Sequence, residues 1–212
     1  MISLLRSTAY VSGLAGSAGA AVHTLRRYRG RVDDLAQRQL ASIAELVEVS
    51  ASVGIAVWLR GGWAMDFHLG VVTRPHVDVD WYCWREDAQR LAALLLARGW
   101  RPDPRMPAER QLDLFAGDVE VSVAYLGRDD SGRPTVGAGP WAGTPLPAGM
   151  LHAPPGRIGS LAVPTISVAA QIEFKQMYPV WMPERSRRPK DAADLARLRA
   201  GPRRADPRTT RP

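Results

Sequence analysis

Val57-Trp58-Leu59-Arg60-Gly61-Gly62-Trp63-Ala64-Met65-Asp66, followed after six residues by Thr73-Arg74-Pro75-His76-Val77-Asp78-Val79-Asp80, is the stretch whose reading decides the fold of this chain. In its second half Val77, Val79 and Trp81 alternate with Asp78 and Asp80. A strand sends alternate side chains to opposite faces, so both carboxylates project one way and the apolar residues face a core. Carboxylates held side by side repel unless a positive charge lies between them, and hard oxygen ligands favour Mg2+. Upstream, Gly61 and Gly62 let a backbone approach a phosphate closely. The short helix that follows adds an anion site through its first N–H groups. A phosphate cradle beside a metal clamp is the apparatus for attack on a nucleoside triphosphate.

The longer string Trp58-Leu59-x-Gly61-Gly62-Trp63-Ala64-x-Asp66-x-x-Leu69-Gly70-x-x-Thr73-Arg74-x-His76-x-Asp78-x-Asp80 resembles the nucleotidyltransferase superfamily, with its polymerase-beta-like fold. Within it, the string is similar to the antibiotic-modifying branch, the aminoglycoside 2''-nucleotidyltransferases and lincosamide nucleotidyltransferases. The match is dense from Val57 to Trp81 and loose elsewhere. The resemblance implies an α/β (α+β) fold: a small twisted mixed sheet with helices packed on one side, plus short C-terminal helices. It also implies two Mg2+ ions at Asp78 and Asp80, a nucleoside triphosphate co-substrate expected to be ATP, and an aminoglycoside- or lincosamide-like acceptor.

Such sites take a third carboxylate from a neighbouring strand. Val119-Glu120-Val121-Ser122 departs twice from the family's Val-Asp-hydrophobic-His string, with Glu for Asp and Ser for His. Glu120 is the expected third metal ligand and base. Asp118 shares its face, and Asp113 lies on the preceding strand. Gly61, Gly62 and Arg74 are expected on phosphate, although Arg74 can instead pair with Asp66. Asp66 either binds substrate or only bonds Thr73 or Arg74. His76 is either a partner of Asp78 or structural, and Trp63 is expected to pack. Lys175 resembles a triphosphate contact, against the alternative of an exposed lysine. Lys190-Asp191-x-x-Asp194-Leu195 resembles a stretch that ties down the last helix of relatives, with Lys190 also within reach of phosphate.

Charge narrows the partners. The chain of 212 residues carries +7 at neutral pH. Residues 185–212 hold ten Arg or Lys and three Asp, so the whole excess sits there and the rest balances at 18 against 18. The body is therefore no platform for a polyanion. Nucleic acid is expected, if at all, only through the tail. Transfer to a protein or tRNA, as in toxin–antitoxin nucleotidyltransferases, is the alternative that the tail favours. The Glu120 and Ser122 departures motivate another: a nucleotide sensor without turnover. A single cysteine, Cys83, excludes an internal disulfide framework and suits a reducing, cytoplasmic setting. Met1 to Ala21 lacks the unbroken apolar core of a signal peptide, and no stretch reaches the ~20 apolar residues of a membrane span.

Residues 1–30 are expected to pack poorly, 31–165 to form the nucleotidyltransferase domain, 166–200 a helical extension and 201–212 a basic disordered tail. Asp33-Asp34 reads as a helix start, with Leu35, Leu40, Ile43, Leu46 and Val47 as its apolar stripe. Arg110 to Phe115 and Val119 to Leu126 read as a hairpin turning at Gly117-Asp118. Residues 127–157 are rich in Gly and Pro, and their loop, with Asp129 and Asp130, is placed to help bind the acceptor. Arg157 to Val163 reads as one strand. A helix over Val168 to Tyr178 is expected to break at Pro179, and a last helix to span Pro189 to Leu198.

Overall fold

The carboxylate strand sits near the middle of a six-stranded mixed sheet. The computed structural model describes residues 18–181 and 188–202, with side chains from residue 34. The elements run α1 (Ala18–Ser52), β1 (Val57–Arg60), α2 (Gly61–Leu69), β2 (Asp78–Trp84), α3 (Arg85–Ala97), β3 (Arg101–Pro102), β4 (Gln111–Ala116) and β5 (Val119–Arg128). They continue with β6 (Pro134–Val136), β7 (Gly156–Ile158), β8 (Leu161–Val163), α4 (Val168–Trp181) and α5 (Pro189–Ala200). The sheet order is β1-β2-β5-β4-β3, with β6 also paired to β5. Strands β2 and β5 are parallel, and the other pairs are antiparallel.

Strand alternation divides the two faces. Val79, Trp81, Cys83, Val121 and Val123 are almost wholly buried beneath Ile43 and Leu46 of α1 and Leu91 and Leu95 of α3. Each large apolar side chain so buried contributes roughly 1.5–3 kcal/mol, which pins the register and forces Asp78 and Asp80 onto the other face. That face carries a smaller apolar cluster, in which Tyr82, Leu126, Leu146 and Met150 meet Ile166, just before α4, and Ala170 in its first turn. Residues 164–166 lie along β1: the Leu59 N–H donates to the Pro164 carbonyl at 2.8 Å and the Ile166 N–H to the Leu59 carbonyl at 3.0 Å. The C-terminal helices are thereby tied to the hinge between β1 and α2.

Three expectations are corrected. Helix α1 begins at Ala18, well before Asp33-Asp34, because the Ala-, Leu- and Arg-containing run upstream is itself good helix material. The stretch read as one strand near Arg157 is a two-stranded hairpin, β7-β8, with Gly159 between them at φ +58°. Helix α4 runs through Pro179 to Trp181. Buried Tyr178 and the edge-to-face contact of Phe174 with Trp181 at 5.9 Å hold its last turn despite the missing N–H. The two-residue strand β3 includes Pro102, a residue without a ladder N–H. It survives as an edge pair in which Arg101 faces Phe115. Of the N-terminal segment expected to pack poorly and the tail expected to be disordered, residues 1–17 and 203–212 lie outside the described residues.

Candidate active site

Register brings the acidic residues together. Asp78 lies opposite Glu120, Asp80 opposite Ser122 on one side and Arg60 on the other, and Ser122 opposite Asp113. Gly61 turns β1 into α2 with φ +73°, a left-handed conformation that favours glycine. A Cβ there would also come to 2.5 Å from Asp80 Oδ2. Gly62 is required for a different reason: a Cβ would enter the His76 ring and press on Arg74. The glycine pair therefore lets this chain's own side chains close on the hinge, and the N-cap residue Arg60 makes no side-chain bond to the first N–H groups of α2.

Arg60, which the sequence reading passed over, is the cation of this centre. It is 5% exposed. Its Nε donates to the Trp81 carbonyl at 3.2 Å and its Nη2 to Asp80 Oδ1 at 3.1 Å, and its guanidinium lies 4.8 Å from the Tyr82 ring centre. Burial opposes its charge, but the negative charge of Asp80 outweighs that with help from Tyr82 and Asp78 and raises its pKa. Ser122 adds a hydroxyl donor to Asp80 Oδ1 at 3.2 Å. Asp78 is treated differently. Burial, and then the charge of Asp80, push its carboxyl up to about 7 against the pull of Lys190 and Arg60. A carboxyl raised in this way is what a bound cation relieves.

Behind the hinge a buried network sets the basic wall. Asp66 is fully buried. The Thr73 N–H and hydroxyl donate to it at 3.0 and 2.6 Å, and His76 Nε2 lies 2.6 Å from it. Asp66 thus bonds Thr73, one of the roles expected of it, and also His76. His76 pairs with Asp66 and stacks on Trp63 at 4.7 Å, so it is not a partner of Asp78. Burial lowers its pKa. Arg74 Nη1 lies 3.1 Å from His76 Nδ1 and can only donate, so the network assigns the proton to Nε2, which donates to Asp66.

Arg74 turns to Asp194 instead of Asp66, donating from Nε and Nη2 at 3.2 and 2.9 Å. Lys175 is buried, not exposed: its Nζ lies 2.9 Å from Asp194 and 3.8 Å from Asp191. Arg188 grips Asp191 with two donors at 2.8 and 2.9 Å. Burial raises the pKa of Asp194, but the hydrogen bonds and charges of Arg74 and Lys175 outweigh it and bring the carboxyl down to about 2. Lys190 is half-buried beside these cations. Burial first, then Arg188 and Arg74, lower its pKa, while Asp78 opposes them.

The third carboxylate is not preassembled. Glu120 faces Asp78 in register, but Arg105 Nη2 donates to it at 2.9 Å and its side chain is 43% exposed. Asp118 lies on the turn, gripped by Arg38 through two donors at 2.9 Å each. Asp113 is buried and takes a hydrogen bond from Gln111. Among the described residues no three His, Cys, Asp or Glu side chains are grouped to hold a metal ion. The Asp78-Asp80 pair, on one face of β2, offers hard oxygens, a donor set that suits Mg2+ when water and phosphate complete the shell.

These parts open onto one cleft of about 330 Å3, whose lining includes Arg60, Asp78, Asp80, Lys175, Arg188 and Lys190 together with the apolar Tyr82, Trp141, Leu146, Phe174 and Trp181. The 127–157 stretch reaches the cleft through Trp141 and Leu146. Asp129 and Asp130 do not line it. Asp129 instead closes its own turn, accepting from the N–H groups of Ser131 and Arg133 at 2.9 Å each.

Among solved structures, the chain is similar to the antibiotic-resistance factor ANT(2'')-Ia in solution, at 22% identity and TM-score 0.62, over 76% of this chain and 83% of that one. It is similar to crystalline ANT(2'')-Ia in complex with adenylyl-2''-tobramycin, at 21% identity and TM-score 0.60, over 78% and 88%. It is also similar to lincomycin-bound LnuA, a lincosamide antibiotic adenylyltransferase, at 20% identity and TM-score 0.58, over 74% and 93%. These likenesses carry the fold. No curated protein matches the chain. Among the described residues no helix is long and apolar enough to cross a membrane. The family model for aminoglycoside-2''-adenylyltransferase matches residues 42–198, which span the sheet, the hinge and both C-terminal helices. On that match, and with the fold in agreement, the chain belongs to the aminoglycoside-2''-adenylyltransferase family of nucleotidyltransferases.

Proposed function

We propose that the protein moves a nucleoside monophosphate from a nucleoside triphosphate, with ATP as the expected donor, to a hydroxyl of an antibiotic of the aminoglycoside or lincosamide type. The observation that carries this reading is a single cleft lined by the Asp78-Asp80 pair, the Gly61-Gly62 hinge and a cationic wall. Asp78 and Asp80 would hold Mg2+, which supplies charge neutralisation for the departing pyrophosphate. The first N–H groups of α2, with Lys190 and Arg188, receive the triphosphate. Lys175 and Arg74 are held in place by Asp194 and lend their charge to the same wall. The acceptor oxygen bonds to the α-phosphorus as the bond from that phosphorus to the bridging oxygen breaks, and pyrophosphate leaves with the electron pair. Glu120 takes the hydroxyl proton once its ion pair with Arg105 opens, an exposed pair worth ~1 kcal/mol or less.

Pyrophosphate release and acceptor mass, measured with each nucleoside triphosphate against an antibiotic panel, test the reading. A mass gain of one nucleoside monophosphate is expected, and Asp80→Asn should abolish it. Undiminished transfer by Asp80→Asn would contradict the assignment. The engagement of Asp80 by Arg60 and of Glu120 by Arg105 favours one second reading, a nucleotide sensor. That reading predicts nucleotide binding with no pyrophosphate under any acceptor.

A further inference from the structure

We infer that Arg60 is a positioning residue that withholds the aspartate pair from free divalent cations, so that the metal is held only when it arrives with the triphosphate. This inference rests on the transferase reading and adds an order of binding to it. Arg60 lies opposite Asp80 in the β1-β2 register, and residues paired across two strands share one face of the sheet. Three contacts fix its guanidinium. Nη2 donates to Asp80 Oδ1 at 3.1 Å, Nε donates to the Trp81 carbonyl at 3.2 Å, and the group lies 4.8 Å from the Tyr82 ring centre. Two of the three involve no carboxylate. A cation that competes for Oδ1 therefore leaves Arg60 in place beside it. A guanidinium keeps its proton at any working pH. With the residue 5% exposed, water and salt screen that charge little.

The same contacts set the way Asp80 faces. Arg60 and Ser122 both donate to Oδ1, Ser122 at 3.2 Å. Oδ2 lies on the side of Gly61, where a Cβ would come to 2.5 Å from it. Asp80 is thus turned with one oxygen to the arginine and one to the hinge. Glu120, across from Asp78, is itself paired with Arg105. Even with both aspartates ionised, two carboxylates against one fixed guanidinium leave a single net negative charge at the pair. A hydrated divalent cation gains little from that, and part of the gain is lost to repulsion by Arg60. The triphosphate reverses the balance. It brings several negative charges of its own to the cation, and Lys190 and Arg188 line the same cleft to receive them.

The test is Mn2+ binding to the full chain without nucleotide, followed by the electron paramagnetic resonance signal of unbound Mn2+. We expect weak binding by wild type and binding about tenfold tighter or more by Arg60→Met. Arg60→Lys, which keeps the charge, should stay within about threefold of wild type. Asp78→Asn added to Arg60→Met should remove the gain and so place it at the pair. A loosened fold or a lost hydrogen bond would weaken metal binding, and only a withheld charge predicts an increase. Arg60→Gln, which keeps an amide donor, carries the same expectation should Arg60→Met fail to fold. With a non-hydrolysable ATP analogue added, wild type should hold Mn2+ as well as Arg60→Met does. Binding by the uncharged variants no tighter than by wild type overturns the inference, as does micromolar binding by wild type alone. Pyrophosphate release from ATP in parallel samples separates the two claims. Tighter Mn2+ binding by Arg60→Met, with no release by wild type under any acceptor, sinks the transferase reading and leaves the role of Arg60 standing. Release by wild type with Mn2+ affinity indifferent to Arg60 does the reverse.

Discussion

Replacing Asp194 by asparagine should cost this protein more than any other single change of a side chain that never meets substrate. Asp194 is fully buried and collects Arg74 through two donors, Lys175 at 2.9 Å and Arg197 at 3.5 Å. Lowering its carboxyl from 3.8 to about 2 corresponds to about 2.5 kcal/mol of preference for the charged form. Asp194→Asn forfeits that and leaves Lys175, 7% exposed, without its nearest counter-charge. Breaking one side of a buried pair costs about 3–5 kcal/mol. We predict a loss of about 3 kcal/mol at neutral pH, or about 10 °C in melting temperature for a chain of this size. The pH dependence has a fixed sign. A carboxyl depressed in the folded state stabilises it above its unfolded pKa, and that stability is lost as pH falls through the folded value. The gap between wild type and variant should therefore hold steady above pH 5 and narrow as pH falls from about 4 towards 2. Urea unfolding across that range measures it. Lys175→Met with Asp194→Leu, which removes both charges, should recover part of the loss. A loss below about 1 kcal/mol for Asp194→Asn, or a gap that ignores acid, would refute the reasoning.

Asp78 should behave in the opposite sense. Its carboxyl is raised to about 7, so wild type without metal should lose stability as pH rises from about 4 to 7. Asp78→Asn should escape that loss, melting above wild type at pH 8 in chelator and level with it near pH 4. Gly62→Ala should displace His76 and Arg74 and raise the KM for nucleotide at least tenfold, with a smaller effect on the acceptor; steady-state kinetics in both substrates checks this. Glu120→Gln should lower kcat by about 10²–10³ if Glu120 is the base while leaving nucleotide affinity within twofold, and Arg105→Ala should raise kcat. A silent Glu120→Gln would move the base elsewhere.

The sequence displayed the parts that depend on neighbours along the chain. The alternation Val77, Asp78, Val79, Asp80, Trp81 has a period of two, and it placed both carboxylates opposite the core. Gly61 and Gly62 marked the hinge because only a residue without Cβ tolerates that turn and that crowding. What stayed hidden depends on contacts between distant segments. Arg74 and Asp194 are 120 positions apart, so nothing local showed that their pairing removes Arg74 from Asp66 and buries Lys175. Arg60 was legible in principle, since an arginine ending an apolar strand before Gly-Gly must find a counter-charge. Its partner is known only from the β1-β2 register. Asp129 was misleading because an exposed acid in a loop satisfies its own turn as readily as it faces a ligand.

The account's central claim is that Asp78, Asp80 and the Gly61-Gly62 hinge together hold a metal-bound triphosphate. Anomalous diffraction from crystals grown with Mn2+ and a non-hydrolysable ATP analogue tests it directly. The account predicts a manganese peak in contact with oxygens of both Asp78 and Asp80, with phosphate oxygens within hydrogen-bond distance of the N–H groups that open α2. A manganese ion and triphosphate bound away from this pair, with Arg60 still closed on Asp80, would contradict it.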